Sequence, residues 1–514
     1  MRPFIAACCV LSLTNCSGPE PVSPVSEPVV SVTGGQIRGA KLDKGGATFK
    51  GVPFAAPPVG DLRWREPMPP QPWTGVKEAT AFSPQCTQNP YFIPDADKTS
   101  REDCLYLNVW NADWPASGTK PVMFWIPGGG NFAGSASQPG YDGESLARRG
   151  VVVVTINYRV GMFGFFSHPA LTAESPNHAS GNQGILDQIA ALKWVHDNIA
   201  RFGGDADNVT IFGESAGSLD VSVLMTSPLA QGLFHKAIGQ SGAVVLMDEP
   251  QSLAQAEARG AKYAARWGQP AAASLKDLRA TAPAAILKSE DIQADSPPNL
   301  GVTIDGYAFP RRPAEVFAAG AEARVPMILG NNSGDMVSAP PADLVKEIRA
   351  KYGPLGARAQ PLYAGADAKD QWLIDTTFRC AGLTQLIWHT AAGQPSYQYQ
   401  FSRVTPGRNT PGAVHASDLN YVFGTLRPEQ VIPPGTVQFN DVDAKVSDVM
   451  QRYWTNFAKT GDPNGVGLPA WQRFDAEKRA YVEFTDEGAI PKEGLRRQQC
   501  DLFVENVKRQ SAAK

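Results

Sequence analysis

The sequence predicts an α/β fold in which a mainly parallel central sheet is flanked by helices. Two short apolar runs, at 121–126 and 151–156, are nearly continuous, as expected for strands that are buried on both faces. Apolar residues at helical spacing follow at 182–201, then a strand-like run at 209–212 and a helical pattern from Ala216. Such alternation is typical of a parallel sheet with helices on its faces.

The later part of the chain continues this alternation. Strands are predicted at 325–330 and 397–401, and apolar residues at helical spacing predict a helix over 371–392. The Ala-rich stretch at about 250–300 has a different texture and is interpreted as a helical, cap-like insertion. No domain boundary is evident in the sequence after residue 30, so we expect a single domain over 31–510.

The composition excludes several classes of protein. The 514 residues include 47 Lys and Arg and 50 Asp and Glu, a net charge of −3. Lys and Arg form no cluster, which argues against binding to nucleic acid or to an anionic membrane surface. Hydrophobic residues make up 43%, enough for a large core, and no apolar segment of 18 residues predicts a membrane span.

The seven cysteines fall into two groups. In an exported protein an odd number requires an unpaired thiol or another use for one cysteine. The four cysteines far from the N-terminus can close two disulfides, with three possible connectivities. The first group is Cys8, Cys9 and Cys16, and the second is Cys86, Cys104, Cys380 and Cys500.

The N-terminus has the layout of a secretory signal, with Met1-Arg2 followed by an apolar stretch at 4–13. Its end, L-T-N-C, resembles a bacterial lipobox. We therefore predict a signal peptide over 1–16 that is cleaved before Cys16, which carries the lipid of a periplasmic or outer-membrane lipoprotein. Ordinary cleaved secretion and a disordered tail are the alternatives. The Pro- and Ser-rich residues 17–30 are predicted to form a semi-rigid tether.

The run G-E-S-A-G at 213–217 carries the strongest chemical signal. It lies between a strand-like run and a helical pattern, the context that a nucleophile elbow requires. The two glycines permit a sharp turn that side chains would obstruct. The pattern predicts Ser215 as a nucleophile, and a structural turn is the alternative.

A serine needs a base to accept its proton, and in this fold class the order along the chain is serine, acid, histidine. That order leaves His389 and His415. His415 is favoured because it lies in a loop after a predicted strand, whereas His389 lies within a predicted helix. For the acid, Asp335 follows the strand at 325–330, while Asp305 is interpreted as a turn residue.

The glycine triplet at 128–130 follows a predicted strand directly. Backbone N–H groups there are unhindered, so Gly129 and Gly130 are candidates to stabilise an oxyanion together with the N–H of Ala216. A flexible loop is the alternative. The sequence contains no H-E-x-x-H, no close His/Cys cluster and no phosphate-binding glycine loop with lysine, so no metal or cofactor is expected.

Four longer motifs carry a resemblance to a known family. They are F-K-G-V-P-F-A at 49–55, E-D-C-L-Y-L-N-V-W at 102–110, F-G-E-S-A-G at 212–217 and H-A-S-D-L-N-Y-V-F-G at 415–424. With these motifs the chain resembles the type-B carboxylesterase and lipase family, which includes the cholinesterases, over about residues 30–505. The resemblance implies the α/β-hydrolase fold.

The resemblance also implies roles for individual residues. It implies a catalytic triad of Ser215, Asp335 and His415, oxyanion donors Gly129, Gly130 and Ala216, supporting polar residues Glu214, Ser241 and Asp418, and disulfides Cys86–Cys104 and Cys380–Cys500. This sequence departs from the family in two places: Asp335 stands where Glu is common, and Pro127 stands where His is usual. Asp220 is an unusual charge on a helix that should be packed, and we expect it to be hydrogen-bonded near the site.

The predicted function is hydrolysis of small to medium organic esters through an acyl-enzyme on serine. A non-catalytic adhesion or binding module on the same scaffold, and an acyltransferase, are the alternatives. The loop between Cys86 and Cys104 contains no Trp, which argues against acetylcholine as substrate. The expected partner is a small-molecule ester, the membrane is contacted only through the lipid anchor, and no feature fixes the oligomeric state.

Overall fold

The structure is a computed structural model, which describes residues 27–91, 93–246, 250–270, 272–290 and 301–512. The predicted signal peptide and the proposed lipid attachment at Cys16 lie outside the described residues. The predicted tether is too long at its C-terminal end, because Val29–Val32 forms a strand whose alternate residues are buried.

Within the described residues, eleven strands form one central sheet. From edge to edge they are β16 (Gly488–Glu493), β15 (Ala480–Thr485), β14 (Ser396–Phe401), β13 (Met327–Asn332), β10 (Lys236–Gln240), β9 (Gly204–Glu214), β7 (Lys120–Ile126), β8 (Val152–Ile156), β6 (Tyr106–Asn111), β4 (Ala47–Pro53) and β3 (Ala40–Lys41). The remaining strands form two small sheets, one of β1 (Val29–Val32), β2 (Gly35–Arg38) and β5 (Val76–Glu78), the other of β11 (Gln251–Ser252) and β12 (Thr303–Ile304).

Seven neighbouring strands, from β8 through β7, β9, β10, β13 and β14 to β15, are parallel, and antiparallel strands complete both edges. The predicted mainly parallel sheet is confirmed. Because parallel strands end at the same edge, the loops that follow β7, β9, β10, β13 and β14 converge there. The strand register aligns residues near the carboxyl ends of these strands, since Gln240 of β10 pairs with Glu214 of β9 and with Gly330 of β13.

Helices cover both faces of the sheet. They are α1 (Ala96–Thr99), α2 (Glu144–Ala147), α3 (Gly161–Gly164), α4 (Pro169–Glu174), α5 (Gln183–Asn198), α6 (Ala216–Leu224), α7 (Leu253–Arg266), α8 (Leu275–Ala280), α9 (Pro283–Lys288), α10 (Pro313–Ala318), α11 (Leu344–Tyr352), α12 (Gly356–Ala359), α13 (Ala368–Ile374), α14 (Cys380–Ala391), α15 (Leu419–Phe423), α16 (Asp441–Thr460) and α17 (Arg497–Ala512). None of these helices is long and apolar enough to span a membrane.

Two predicted segments differ in detail. The helix predicted over 371–392 is α13 and α14, joined by a π-helical turn at Asp375–Arg379. The insertion predicted at about 250–300 contains the short helices α7 to α9 in its described part.

The hydrophobic core lies on both faces of the sheet. Along β7, Val122, Phe124 and Ile126 pack into one buried cluster, while Met123 and Trp125 pack into the other. Alternate side chains of a strand point to opposite faces, so a strand covered by helices on both faces is apolar at every position. This explains the nearly continuous apolar runs in the sequence.

Two disulfides join distant segments, Cys86 to Cys104 and Cys380 to Cys500. These are the pairs that the resemblance implies. The second bond ties α14, which packs behind β13 and β14, to the C-terminal helix α17.

The two disulfides should differ in their effect on stability. Their sequence separations are 18 and 120 residues. The chain-entropy model predicts stabilisation of about 3 kcal/mol for the shorter loop and about 5 kcal/mol for the longer one. We expect the Cys380→Ala/Cys500→Ala variant to lose more free energy of unfolding in urea than the matched Cys86→Ala/Cys104→Ala variant. A larger loss for the shorter loop would contradict the entropic account.

Candidate active site

Ser215 lies at the sharp turn between β9 and α6. Its backbone has φ +57° and ψ −123°, a conformation that L-residues rarely adopt and that costs about 1–3 kcal/mol. The turn packs closely against the end of β7: a Cβ on Gly217 would lie 2.1 Å from the carbonyl oxygen of Ile126. A Cβ on Gly213 would lie 2.5 Å from the backbone of Gly217. Both glycines are therefore required, and the run G-E-S-A-G stands in the predicted strand-turn-helix context.

We call residues 127–131, which follow β7 directly, the glycine loop. A Cβ on Gly128 would lie 3.1 Å from the Cβ of Ser215, so the loop passes in contact with the serine. Gly129 and Gly130 have φ of +120° and +65°, the region that favours glycine. The loop thus follows a path that other residues would resist.

The backbone N–H groups next to Ser215 are unengaged. Within the described part of the chain, no acceptor receives a hydrogen bond from the N–H of Gly129, Gly130 or Ala216. Ala216 is the first residue of α6, where helical N–H groups have no intrahelical partner. These three groups are available as donors to an anionic oxygen.

Buried side chains hold the start of the glycine loop and the segment that follows it. Tyr158 donates its hydroxyl hydrogen toward the carbonyl oxygen of Pro127, 2.9 Å away. On the other side, the Gln88 side chain accepts from the N–H of Gly134 at 2.8 Å and donates to its carbonyl at 3.0 Å. Gln88 lies in the loop closed by the first disulfide, so that disulfide loop supports the segment after the glycines.

His415 and Asp335 meet across two loops. The Nδ1 atom of His415 lies 2.6 Å from Oδ1 of Asp335, and the N–H of Asn332 donates to Oδ2 of Asp335 at 3.0 Å. The two loops are joined by a backbone hydrogen bond from Gly334 to Ala413. Asp335 is completely buried, whereas the His415 side chain is 19% exposed. The imidazole is therefore oriented by a buried carboxylate and open on one side.

The other imidazole nitrogen faces Glu214. Nε2 of His415 lies 3.2 Å from Oε1 of Glu214, the residue before Ser215. The described residues include no hydrogen bond between His415 and the Ser215 hydroxyl. The ring of Phe378 stacks on the imidazole with the ring centres 5.1 Å apart. Phe378 thus packs against the plane of the ring, Asp335 holds Nδ1, and Glu214 faces Nε2.

The carboxylates around His415 change its protonation. Burial alone would lower the pKa of His415, but the negative charges of Glu214 and Asp335 outweigh it and raise that pKa. Burial also raises the pKa of Glu214, although the charge of His415 opposes this rise. Each group shifts the pKa of the other, so the two titrate as a pair.

Asp418 lies behind the histidine in a polar network. Its carboxylate accepts hydrogen bonds from Gln240 at 2.7 Å, from the Tyr399 hydroxyl at 3.0 Å and from the Asn332 amide at 3.2 Å. Asn332 also donates to the carbonyl of Val414, beside His415, at 2.8 Å. Asp418 therefore contacts the histidine loop through Asn332 rather than touching the imidazole.

Ser241, which is expected to be a supporting residue, lies at the same edge of the sheet. It follows β10 with φ +56°, and its N–H donates to the carbonyl of Gly330. Its hydroxyl is completely buried and makes no hydrogen bond within the described residues. The structure brings Ser241 to the same sheet edge but does not bond it to His415 or Asp418.

The two rejected candidates have structural roles elsewhere. His389 is completely buried, with one nitrogen 2.7 Å from Glu322 and the other 2.8 Å from the carbonyl of Val325. Asp305 accepts hydrogen bonds from the N–H groups of Tyr307 and Phe309, as a turn residue does. Neither contacts the residues around Ser215.

Sequence reasoning missed several residues that hold the site. Those residues are Gln88, Asn131, Tyr158, Gln240, Asn332 and Tyr399. Their common feature is a polar side chain that is buried next to the carboxyl end of an apolar strand or in a loop. For Gln240 the available signal was a polar residue at the carboxyl end of the strand K-A-I-G-Q, whereas Tyr399 in the alternating run S-Y-Q-Y-Q-F gave no such signal.

The chain matches the carboxylesterase family over residues 26–351 and 337–503. It belongs to the carboxylesterase family and is an enzyme that hydrolyses carboxylic esters. The resemblance read from the sequence motifs is confirmed, and so is the α/β-hydrolase fold.

Similar proteins cover nearly the whole chain. The fumonisin B1 esterase of Sphingopyxis macrogoltabida is 37% identical over 86% of this chain and 83% of that protein. The medium-chain fatty acyl-CoA hydrolase precursor of Anas platyrhynchos is 36% identical over 88% of this chain and 87% of its own. Among solved structures, a PNB esterase is 32% identical, covers 92% of this chain and 100% of its own, and superposes with a TM-score of 0.79.

The Glu214 carboxylate should control the pH dependence of the enzyme. In the mechanism that the sequence predicts, the base is neutral His415, so kcat/KM should fall as the pH drops below the apparent pKa of this histidine. Glu214→Gln removes a negative charge next to Nε2 and therefore lowers that pKa. We expect the acidic limb of the pH profile of kcat/KM to move to lower pH by about 1–3 units.

The matched control is Glu144→Gln, which changes a partly exposed carboxylate that pairs with Arg148 on the surface. This variant should keep the wild-type profile. An acidic limb that stays in place in Glu214→Gln would show that Glu214 does not set the protonation of His415.

Proposed function

We propose that Ser215, His415 and Asp335 form the catalytic triad of this carboxylesterase. Ser215 attacks the ester carbonyl while Nε2 of His415 takes the hydroxyl proton. His415 then gives that proton to the departing alcohol, and an acyl-enzyme remains on Ser215. Water, activated by the same histidine, releases the acid. The observation that carries the proposal is the 2.6 Å contact of buried Asp335 with Nδ1, which leaves Nε2 to act at the serine.

Nε2 must be without its own proton when it accepts the proton of Ser215. In the free enzyme this nitrogen faces Oε1 of Glu214 at 3.2 Å, and we propose that one proton is distributed between the two groups. The neutral pair, with the proton on Glu214, is the form that can start the reaction. We assign Glu214 the role of holding and storing this proton, and Asp418 that of fixing the histidine loop. Ser241, at the same sheet edge, is proposed as a supporting group.

The oxyanion of the tetrahedral intermediate is proposed to bind the N–H groups of Gly129, Gly130 and Ala216. Support comes from their unengaged N–H groups within the described residues and from the contact between the glycine loop and Ser215. Preorganised donors of this kind lower the barrier because they need no reorganisation as charge develops. The chemistry uses these protein groups alone.

The substrates are proposed to be small to medium organic esters. The names of similar proteins specify a fumonisin ester, a fatty acyl-CoA and a PNB ester, which share a cleavable acyl group and differ in the group that leaves. A common acyl-enzyme step with variable leaving groups accounts for this range. Specificity then depends on loops around the site, including the insertion that contains α7 to α9.

The protein is proposed to be exported and anchored by a lipid on Cys16. Two disulfides indicate folding in an oxidising compartment. The lipobox-like end of the predicted signal supports the attachment point. With Cys8 and Cys9 removed in the signal peptide and Cys16 lipidated, no free thiol would remain in the mature chain.

The nucleophile assignment is tested by Ser215→Ala. We expect kcat for p-nitrophenyl butyrate to fall by about 10⁴–10⁶-fold, because the acyl-enzyme cannot form. The wild type should bind a fluorophosphonate probe covalently and Ser215→Ala should not. Ser447→Ala, which removes a buried hydroxyl in α16, is the control and should be labelled. Undiminished turnover by folded Ser215→Ala would overturn the proposed mechanism, and an unlabelled wild type would favour the binding-module alternative.

Lipidation is tested by the mass of the mature protein from its native host. We expect an N-terminus at Cys16 with the added mass of acyl chains, and we expect Cys16→Ser to leave the membrane fraction. A mature chain that starts at Ser17 or later and carries no lipid would refute the anchor while leaving the esterase assignment intact.

A further inference from the structure

The glycine loop ends in a residue with an unusual conformation. Asn131 has φ +60° and follows two glycines of positive φ, so three consecutive residues take a path that costs free energy in most sequences. Asn is among the few residues with a Cβ that tolerate this region. Such a backbone conformation is maintained only when contacts with neighbouring groups stabilise it.

Two buried polar groups, Asp220 and Tyr158, contact the Asn131 side chain. Its amide nitrogen donates to Oδ1 of Asp220 at 3.3 Å, and its amide oxygen lies 3.0 Å from the Tyr158 hydroxyl, whose single hydrogen is shared between this oxygen and the carbonyl of Pro127. Its backbone carbonyl accepts from the N–H of Gly161 at 2.6 Å. Asn131 is 4% exposed, so these bonds form away from solvent.

Asp220 connects this anchor to the helix that begins beside the nucleophile. It lies in α6 one turn after Ala216, is 1% exposed, and receives a second hydrogen bond at 2.6 Å from the Gln188 amide of α5. Burial raises the pKa of Asp220 to about 7, and the hydrogen bonds from Gln188 and Asn131 oppose this rise. The Asn131 and Gln188 amides each donate an N–H to Asp220. A carboxylate accepts both hydrogen bonds with its two oxygens, whereas a side-chain amide at this position has only one oxygen to accept them.

We propose that Asn131, held by the Asp220 carboxylate, is a positioning residue for ester hydrolysis. It fixes the N–H groups of Gly129 and Gly130 relative to the N–H of Ala216, because Asp220 and Ala216 belong to one rigid helix. The glycine loop and the N-terminus of α6 belong to segments that are far apart in the sequence, so hydrogen bonds across them help to set their relative position. The proposal rests on the proposed function, in which these N–H groups stabilise the oxyanion.

The network should act on the transition state and leave substrate binding unchanged. Displaced oxyanion donors weaken binding of the tetrahedral species, whereas the ground-state ester does not need them. A trifluoromethyl ketone that adds to the serine forms a tetrahedral adduct with an anionic oxygen. Its inhibition constant therefore reports the same donors independently of turnover.

Two single variants break the network in different ways. Asp220→Asn keeps the shape but places an amide N–H against the N–H group of Asn131 or Gln188. Asn131→Gly keeps the positive φ without strain and removes the side chain. For both we expect kcat for p-nitrophenyl butyrate to fall about 10–100-fold with KM within about 3-fold, and the inhibition constant of the trifluoromethyl ketone to rise by a similar factor.

An exchanged pair provides a rescue. In the double variant Asn131→Asp/Asp220→Asn, the new amide at 220 can accept from Gln188 and donate to the new carboxylate at 131, which can still accept from Tyr158. The hydrogen bonds from residue 131 to residue 220 and from Gln188 to residue 220 are then replaced by bonds of matching donors and acceptors. We expect this variant to recover most of the kcat and inhibitor affinity that Asp220→Asn loses.

The control is Ser222→Ala, which removes a buried hydroxyl from the same helix two residues further on. It should lower the melting temperature and leave kcat and the inhibition constant near the wild type.

If folded Asp220→Asn and Asn131→Gly keep both constants within twofold, the network is only structural and the proposal is overturned. If Asp220→Asn does not fold, the exchanged pair and Asn131→Gly decide by the same criteria. Ser215→Ala tests the hydrolysis mechanism separately, so its outcome does not depend on Asp220.

Discussion

The turn at Ser215 is possible only because two glycines let α6 start directly against the end of β7. A single Cβ at Gly217 would meet a backbone carbonyl at 2.1 Å, so the serine can be presented at the sheet edge only with this spacing. The same close approach brings the glycine loop against the serine. The strain at Ser215 is sustained by the parallel strands on either side, which cannot shift without breaking the sheet.

The site brings together four buried carboxyl groups, of which three act on the His415 imidazole while Asp220 lies on the side of the glycine loop. Glu214, Asp220, Asp335 and Asp418 are all at most 3% exposed. Isolated buried carboxylates are costly, and three of these are compensated by hydrogen bonds from amides, hydroxyls or the imidazole. Glu214 instead faces Nε2 of His415 at 3.2 Å, and its Oε1 atom has no hydrogen-bond partner among the described residues. The charge of the imidazole and the charge of Glu214 therefore influence each other directly.

Much of the site was accessible to sequence reasoning because strict local rules govern it. The strand-turn-helix around Ser215, the order of acid and base, and the loop position of His415 follow from short motifs and chain order. The supporting residues were not accessible in the same way. Asn131 and Asp220 are 89 residues apart, and Gln88 meets Gly134 across 46 residues, so their contacts exist only once the strands are paired.

The sequence by itself determined the fold class, the family and the residues that carry the proposed chemistry, because periodicity, glycine spacing and motif order are local properties. Tertiary structure decided which polar groups meet. It placed Glu214 against Nε2, joined Asp418 to the histidine loop through Asn332 and left the Ser241 hydroxyl without a hydrogen bond within the described residues. These contacts require precise placement of side chains from segments that are far apart in the chain. No local sequence pattern encodes that placement.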